Sequence, residues 1–204
     1  MAITIKIIEK FAQFVAQFKY GSMLGPWKLV KNSLYRTLSP EEFLKNKIGV
    51  CTDYANFIYD QLNKAGIACS IYCMARKFKN GNLMYHFFPV FEYNKKWYII
   101  EGSWKEEPAF LGLRFYRSLK EAINIYSFLE ECHFDDMNLR IEDFEWSRLL
   151  KIKASVPVGI SRDEVKSIIA SSEVVMDNIK SDFEDMSDYC EYWKQRHYQD
   201  GVVF

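Results

Sequence analysis

The chain has 204 residues, 49% of them hydrophobic and 17% aromatic, so it can bury a sizeable core as one domain. Basic and acidic residues number 27 each, and a formal net charge of zero argues against a groove that attracts nucleic acid by bulk charge. The N-terminal stretch MAITIKIIEKFAQFVAQFKYG lacks a long apolar run and a small-residue cleavage site. It therefore predicts a cytoplasmic chain without signal peptide or membrane span.

Helix signals recur along the chain. Apolar residues at helical spacing predict a helix over residues 3–18. They are Ile7, Phe11, Phe14, Val15 and Phe18. Serine followed three residues later by glutamate is a helix-capping pattern, and it occurs at Ser39, Ser118 and Ser161. These patterns predict helices over about 40–46, 118–131 and 161–170, and a further helix runs from Cys51 to a glycine cap at Gly66.

Strand signals lie between these helices. IACSIYCMARK, residues 67–77, predicts one strand, and LMYHFFPVFEYNKKWYIIEGSW, residues 83–104, predicts a β-hairpin with its turn near Asn94-Lys95. Apolar residues on both faces of these arms are typical of central strands. Residues 138–156 supply candidate further strands, and the acidic, aromatic tail from Asp177 is interpreted as a helix or an interaction segment.

The cysteine count favours free thiols. Five cysteines in a chain predicted to be cytoplasmic leave one unpaired, and no two CxxC motifs occur together, so neither a disulfide framework nor a structural zinc site is expected. Cys69 and Cys73 lie in an apolar stretch and are interpreted as small core residues.

Cys51 is different because it opens a predicted helix. Backbone N–H groups and the helix dipole at that end favour negative charge, so they stabilise a thiolate, and the same N–H groups can hold an oxyanion. Gly49 just before it allows a sharp backbone approach. Plain packing of a small side chain is the alternative interpretation of Cys51.

A nucleophilic cysteine needs a base and a group that orients the base. If the hairpin turn pairs Tyr93 with Lys96, Phe88 lies opposite Glu101, and His86 shares a face with Glu101 as its diagonal neighbour. The alternative is a core histidine bonded to backbone and a solvated charge at a strand end. His133 at a predicted helix end and His197 in the polar tail need no function to explain them.

Two segments, SPEEFLKNKIGVCTDYANFIYDQLNKAGI and MYHFFPVFEYNKKWYIIEGSW, resemble the transglutaminase-like superfamily of papain-fold thiol enzymes, in its bacterial and phage type. That family has a G-x-C helix start, then a histidine and an acidic residue on successive strands. The matching residues are Gly49-Val50-Cys51, His86, and Glu101 before Gly102-Ser103-Trp104. The resemblance spans roughly residues 19–130.

The resemblance implies an α+β fold with a papain-like, transglutaminase-like core, in which the cysteine helix packs on an antiparallel sheet that carries the histidine and the glutamate. The catalytic core is expected over 1–135, with C-terminal strands and helices over 136–204 packed on it as a single domain overall. Neither a cofactor nor a metal is expected. The expected partner is a peptide or protein substrate, not nucleic acid or membrane, and the oligomeric state stays open.

The resemblance also implies a Cys–His–Glu triad for acyl transfer at amide bonds: Cys51 attacks, His86 is the base and Glu101 orients it. The family more often has aspartate as third member. The backbone N–H of Cys51 is one expected oxyanion donor. Papain relatives place a glutamine before the cysteine, and here Lys45 and Asn46 occupy that region. The second donor therefore stays open among Asn46, Tyr35 and Trp27, with Asn46 as the candidate carried forward. A cysteine peptidase or amidase is preferred over a protein transglutaminase, and a non-catalytic protein-binding module on the same fold is the alternative.

Overall fold

The computed structural model describes residues 4–24, 30–31, 34–103, 111–136 and 140–200. Within these ranges the side chains of 133–136, 141, 193–194 and 196–200 are not described. Among the described residues, no helix combines the length and the apolar character that crossing a membrane requires.

Six α-helices, one short 3₁₀ helix (Ile141–Asp143) and eight strands make up the described part of the fold. The helices are α1 (Ile5–Ala16), α2 (Pro40–Asn46), α3 (Cys51–Lys64), α4 (Leu119–Asp136), α5 (Arg162–Ser171) and α6 (Met186–Asp200). The strands are β1 (Lys19–Tyr20), β2 (Ile48–Gly49), β3 (Cys69–Phe78), β4 (Leu83–Tyr93), β5 (Lys96–Glu101), β6 (Gly112–Tyr116), β7 (Phe144–Ile152) and β8 (Glu173–Asp177).

Strands β3 to β8 form one six-stranded antiparallel sheet in the order β6-β5-β4-β3-β7-β8, and β1 pairs with β2 in a separate two-stranded parallel ladder. The predicted α+β fold, with the cysteine helix packed on an antiparallel sheet, is confirmed. Since β7 lies beside β3, the C-terminal part of the chain completes the sheet rather than forming a second one. The predicted division into 1–135 and 136–204 stays a prediction.

The hairpin register follows from a two-residue turn. Asn94 and Lys95 both have positive φ, 51° and 62°, which is the backbone of a type I′ turn and matches the twist of the flanking strands. Tyr93 therefore pairs with Lys96 and Phe91 with Tyr98, as predicted.

The capping predictions are confirmed at Ser39 and Ser161, whose boxes are complete and open α2 and α5. At α4 the Ser118 hydroxyl accepts from the Glu121 N–H at 3.1 Å, but the Glu121 carboxylate accepts from the N–H of Arg117 rather than of Ser118. Each cap supplies a partner for a backbone donor that the helix itself leaves unpaired.

Helix α1 lies close to its predicted span but buries a stripe that the apolar pattern only partly indicated. Ile8, Ala12 and Val15 are buried, whereas Ile7 is 44% exposed and Phe14 39%. The small side chain of Ala12 lets the helix approach the core closely, and this places the bulkier neighbours at the rim.

Four strands, β1, β2, β6 and β8, were not predicted. They have two to five residues each, too few to show the alternation of a strand.

The sheet is covered on both faces. Cys51 and Ala55 of α3 and Val165 of α5 pack with Ile71 and Phe87 on one face. On the other face, α4 contributes Ala122, Ile123 and Tyr126 to a cluster that includes Met74, Phe88 and Ile99. The site described next lies where the start of α3 meets the strands β4 and β5.

Candidate active site

The start of α3 is positioned by the short β1–β2 ladder. The Lys19 N–H donates to the Lys47 carbonyl at 2.8 Å and the Gly21 N–H to the Gly49 carbonyl at 2.9 Å. A Cβ on Gly49 would lie 2.7 Å from the Phe43 ring, closer than packed side chains tolerate. The close backbone approach predicted at Gly49 therefore depends on the absence of a side chain there. Cys51 follows as the first residue of α3.

Asp53, on the same helical turn, is a buried connector. Its carboxylate accepts from the N–H of Val50 at 2.9 Å, the N–H of Leu38 at 2.9 Å and the hydroxyl of Tyr35 at 3.0 Å. Burial outweighs these donors and raises the pKa of Asp53 to about 6. The carboxylate therefore ties the segment before α2 to the start of α3, which is more than the dipole pairing expected for an acid in a first turn.

His86 and Glu101 are in direct polar contact. His86 Nε2 lies 2.7 Å from Glu101 Oε2, across the hairpin whose register predicted that the two share a face. The Glu101 side chain is 2% exposed and His86 is 16% exposed, so this contact lies at the edge of the interior. Phe88 stacks against the imidazole with ring centroids 5.9 Å apart, which holds the ring plane.

The other carboxylate oxygen of Glu101 has its own donors. Oε1 accepts from the backbone N–H and from the hydroxyl of Ser103, each at 2.7 Å. The Tyr126 hydroxyl lies 3.5 Å from Oε2, a longer contact. With both oxygens engaged, the carboxylate cannot rotate without losing a hydrogen bond, and its orientation toward His86 is fixed.

Cys51 reaches the same imidazole. The sulfur lies close enough to the His86 ring to help raise the pKa of the imidazole. Because Nε2 is engaged by Glu101, Nδ1 is the ring nitrogen left to face the thiol. The sulfur belongs to a residue that is only 5% exposed. The three side chains therefore lie in the order thiol, imidazole, carboxylate.

The charges of the site support one another. Burial opposes the charged form of His86, but the Glu101 carboxylate and the hydrogen bond with Cys51 outweigh it and raise the pKa of the imidazole well above its ordinary value. Burial likewise works against ionised Glu101, yet His86 and the Ser103 donors lower the pKa of that carboxyl. Both shifts favour an imidazolium next to a carboxylate.

The other cysteines have different surroundings. Cys69 and Cys73 are buried, as predicted, and burial raises the pKa of the Cys69 thiol to about 12 and that of Cys73 well above its ordinary value. Cys132 and Cys190 are exposed. Within the described residues, no group of three or more histidine, cysteine or acidic side chains is arranged to hold a metal ion.

Several sequence-predicted residues are not joined to this site. Asn46 ends α2 as an exposed residue and lines a cavity of about 310 Å³ with Gly49 and Asp53, and the described lining of that cavity does not include Cys51. Its role as oxyanion donor stays a prediction. The side chains of His133 and His197, and all of Trp27 and Trp104, lie outside the described residues.

The sequence reasoning missed the residues that support the triad candidates. Ser103 is two residues after Glu101, a spacing at which a side chain readily binds local backbone, so this anchor had a signal in the sequence. Tyr126 had none, because it comes to Glu101 from α4 by packing alone.

Comparison with known proteins places the chain among related sequences. The sequence model of the family described as Transglutaminase-like domain matches residues 4–127. Among solved structures, calcium-bound LapG of Legionella pneumophila is similar at 16% identity and a TM-score of 0.37, covering 82% of this chain and 80% of that one. EGTA-treated LapG gives 17% identity and a TM-score of 0.38, covering 82% and 77%. No curated protein matches the chain.

Proposed function

Because the chain belongs to the transglutaminase-like domain family, we propose that it is a thiol-dependent acyl-transfer enzyme that acts on amide bonds of peptides or proteins. The observation that carries the proposal is the 2.7 Å contact between His86 and Glu101, with the Cys51 thiol beside the same imidazole. Nucleophilic catalysis by cysteine needs this set of groups in this order.

The first step is proton transfer within the site. His86 Nδ1 takes the thiol proton of Cys51, giving a thiolate beside an imidazolium. Glu101 stabilises that cation and keeps the ring proton on Nε2, so that Nδ1 is the nitrogen available to the thiol. The start of α3 adds its dipole to the stabilisation of the thiolate.

The second step forms the acyl-enzyme. The thiolate attacks the carbonyl carbon of an amide, and the oxygen of the tetrahedral intermediate takes the negative charge. The backbone N–H of Cys51, a first-turn donor without an intrahelical acceptor, hydrogen bonds to that oxygen. When the C–N bond breaks, the imidazolium of His86 gives its Nδ1 proton to the leaving amine, and a thioester remains on Cys51.

The third step decides the reaction class. Water attacking the thioester, with His86 as base, gives a cysteine peptidase or amidase, whereas an amine gives a transglutaminase. We favour hydrolysis, because water needs no second binding site and amine transfer needs one that also excludes water.

A non-catalytic protein-binding module on the same fold is the second candidate. The burial of the Cys51 residue favours it, since a thiol that no substrate can reach does no chemistry. The two candidates differ in the reactivity of the thiol near neutral pH, where a paired cysteine reacts as a thiolate and an ordinary one does so only in small part.

The test is labelling of the full chain with iodoacetamide at limiting concentration near neutral pH, read by mass spectrometry for each cysteine. We expect Cys51 to react faster than the exposed Cys190, and His86→Ala to abolish that difference. A screen of peptides for cleavage follows, with Cys51→Ala as the inactive form and Cys190→Ala as the matched control. A Cys51 no more reactive than Cys190 would establish the binding module instead.

A further inference from the structure

Asp53 holds Val50, the residue immediately before Cys51, at both of its backbone polar groups. The Asp53 carboxylate accepts from the Val50 N–H at 2.9 Å, and the Asp53 N–H donates to the Val50 carbonyl at 2.8 Å. The N–H of Tyr54 donates to the same carbonyl at 3.1 Å. Val50 therefore cannot turn without losing a buried hydrogen bond.

These hydrogen bonds also set the direction of the Cys51 N–H. A trans peptide unit is planar, and its carbonyl and its N–H point in opposite directions. The Val50 carbonyl points into α3, toward the N–H groups of Asp53 and Tyr54. The Cys51 N–H belongs to the same peptide unit, so it points out of the start of the helix. It lies on the residue that carries the sulfur, which is the place for a donor to an oxyanion that forms when the sulfur attacks a carbonyl.

The second oxygen of Asp53 connects the same helix start to the segment before α2. Oδ1 accepts from the Leu38 N–H at 2.9 Å and from the Tyr35 hydroxyl at 3.0 Å. That segment is itself fixed, because the hydroxyl of Thr37 donates to the carbonyl of Pro157 at 2.6 Å. The orientation of Val50 therefore depends on contacts beyond its own helical turn.

Packing leaves the carboxylate little freedom. Asp53 is 1% exposed, and its Cβ lies 2.8 Å from the position that a Cβ on Gly49 would take. Tyr35 shares a buried cluster with Val30 and Val50. The side chain that donates to Asp53 is thus packed together with the residue that Asp53 holds.

The arrangement requires a carboxylate and not an amide. A backbone N–H can only donate, and the two oxygens of Asp53 each face one: Oδ1 that of Leu38 and Oδ2 that of Val50. Asparagine has the same shape, but its NH₂ group would face one of these donors, and that contact would be lost. The charge of the carboxylate also makes both hydrogen bonds stronger than neutral ones.

We propose that Asp53 is a positioning residue for acyl transfer: by holding Val50 it directs the backbone N–H of Cys51 at the oxyanion of the tetrahedral intermediate. The inference rests on the proposed function, because it assigns Asp53 to one step of that reaction. Asp53 acts through the peptide unit between Val50 and Cys51 and not through contact with the substrate. Its replacement should therefore slow reactions of the thiol that pass through an oxyanion and spare those that do not.

The first test compares two reactions of the Cys51 thiolate in the full chain, each read at every cysteine by mass spectrometry. p-Nitrophenyl acetate acylates the sulfur through a tetrahedral oxyanion, releases p-nitrophenolate and leaves an acetyl thioester. Iodoacetamide alkylates the sulfur by direct displacement of iodide, with no oxyanion. We expect Asp53→Asn to lower the ratio of the acylation rate to the alkylation rate by about tenfold. Deleting an oxyanion donor costs about 10²–10³ in kcat, and a donor that is only misdirected should cost less.

Glu164→Gln is the matched control. Glu164 is the third residue of α5, as Asp53 is of α3, and its carboxylate likewise accepts from the N–H of the residue before its helix, Ser161, at 2.8 Å. The change removes a carboxylate from the same helical position on a helix that does not carry the nucleophile. The ratio at Cys51 should stay native.

An unchanged ratio in Asp53→Asn would overturn the positioning role. Equal losses of both rates would also overturn it, because Asp53 would then support the thiol or the fold as a whole. A wild-type Cys51 that reacts with iodoacetamide no faster than Cys190 would contradict the proposed function and the role of Asp53 with it. A reactive wild-type Cys51 whose ratio does not depend on Asp53 would overturn the role of Asp53 alone.

The second test uses the native protein and decides the question if Asp53→Asn does not fold. Burial raises the pKa of Asp53 to about 6, and protonation puts a hydroxyl group where a backbone N–H needs an acceptor. The titratable groups that act on Asp53 include Glu42 of the α2 cap and two tyrosines, Tyr35 and Tyr54. Burial raises the pKa of both tyrosines, so they stay protonated in this range.

The ratio of the two rates isolates Asp53 from the titration of the thiol, because both reagents need the same thiolate. We expect the ratio to fall as the pH is lowered from about 7 to about 5, with its midpoint near the pKa of about 6 for Asp53. A ratio that stays constant over this range in the native protein would overturn the positioning role.

Discussion

Replacing Glu101 with glutamine tests the proposed triad through its hydrogen-bond directions. In the native site Oε2 accepts from His86 and Oε1 accepts from the N–H and hydroxyl of Ser103. Glutamine has one acceptor oxygen and one NH₂ group in the same shape. The backbone N–H of Ser103 can only donate, so it draws the amide oxygen to its side, and the NH₂ group then faces His86 Nε2.

This orientation reverses the tautomer of the imidazole. Nε2 must accept from the NH₂ group, so the ring proton moves to Nδ1, the nitrogen that should take the proton of Cys51. Loss of the charge-assisted hydrogen bond alone costs about 1.5–3 kcal/mol, or roughly 10- to 100-fold in rate. The equivalent tautomer error in a serine-protease triad lowers kcat by about 10⁴. We expect kcat/KM for Glu101→Gln to fall by between about 10² and 10⁴.

The assay is cleavage of a peptide substrate, with the labelling rate of Cys51 as a second readout. Glu101→Ala leaves the tautomer unconstrained and should retain more activity than Glu101→Gln, although it removes more atoms. Glu92→Gln, on the exposed part of the same hairpin, is the matched control. If Glu101→Gln keeps more than a tenth of the native rate, or exceeds Glu101→Ala while both unfold at the native midpoint, the tautomer argument is wrong.

Three further predictions concern the support of the site. Ser103→Ala removes one donor to Glu101 and should lower kcat/KM by about five- to tenfold while the circular dichroism spectrum stays native. An unchanged kcat/KM would show that the backbone N–H of Ser103 is enough to hold Glu101. Gly49→Ala should lower the free energy of unfolding, measured in urea, by about 1–3 kcal/mol, because the added methyl group overpacks the site. The same variant should reduce labelling of Cys51. Gly81→Ala is the control: it has open space around it and should leave the labelling of Cys51 native. Because the pKa of Asp53 is raised to about 6, its native form holds a proton that the unfolded chain releases, so stability should decline by about 3 kcal/mol as pH rises from about 4 to about 6. Urea titrations should show that decline in the native protein and a flatter profile in Asp53→Asn, and parallel profiles would contradict the raised pKa.

Much of the local structure could be predicted because its causes lie within a few residues. The boxes at Ser39 and Ser161 are closed by glutamates three residues on, and the bonds in the structure are those that the pattern predicts. The two-residue turn at Asn94-Lys95 determines the pairing of β4 with β5, since a hairpin with a short loop has one register that the turn allows.

Other features depend on which surfaces meet, and no local pattern states that. The apolar spacing predicted for α1 includes Ile7 and not its neighbour Ile8, and only packing against α3 and the sheet decides that Ile8 is inside. Asp53 had the same sequence environment as any first-turn acid, yet burial raises its pKa, and the hydrogen bond from Tyr35 gives it a connecting role. Burial is a property of the assembled core.

The amino-acid sequence by itself determined the helix that begins at Cys51 and the hairpin that puts His86 and Glu101 on one face, because both follow from short-range hydrogen bonding and strand period. Only the tertiary structure decided that the thiol lies beside the imidazole. That placement requires α3 to pack on one face of the sheet, and the packing depends on side chains from distant parts of the chain fitting together at close range.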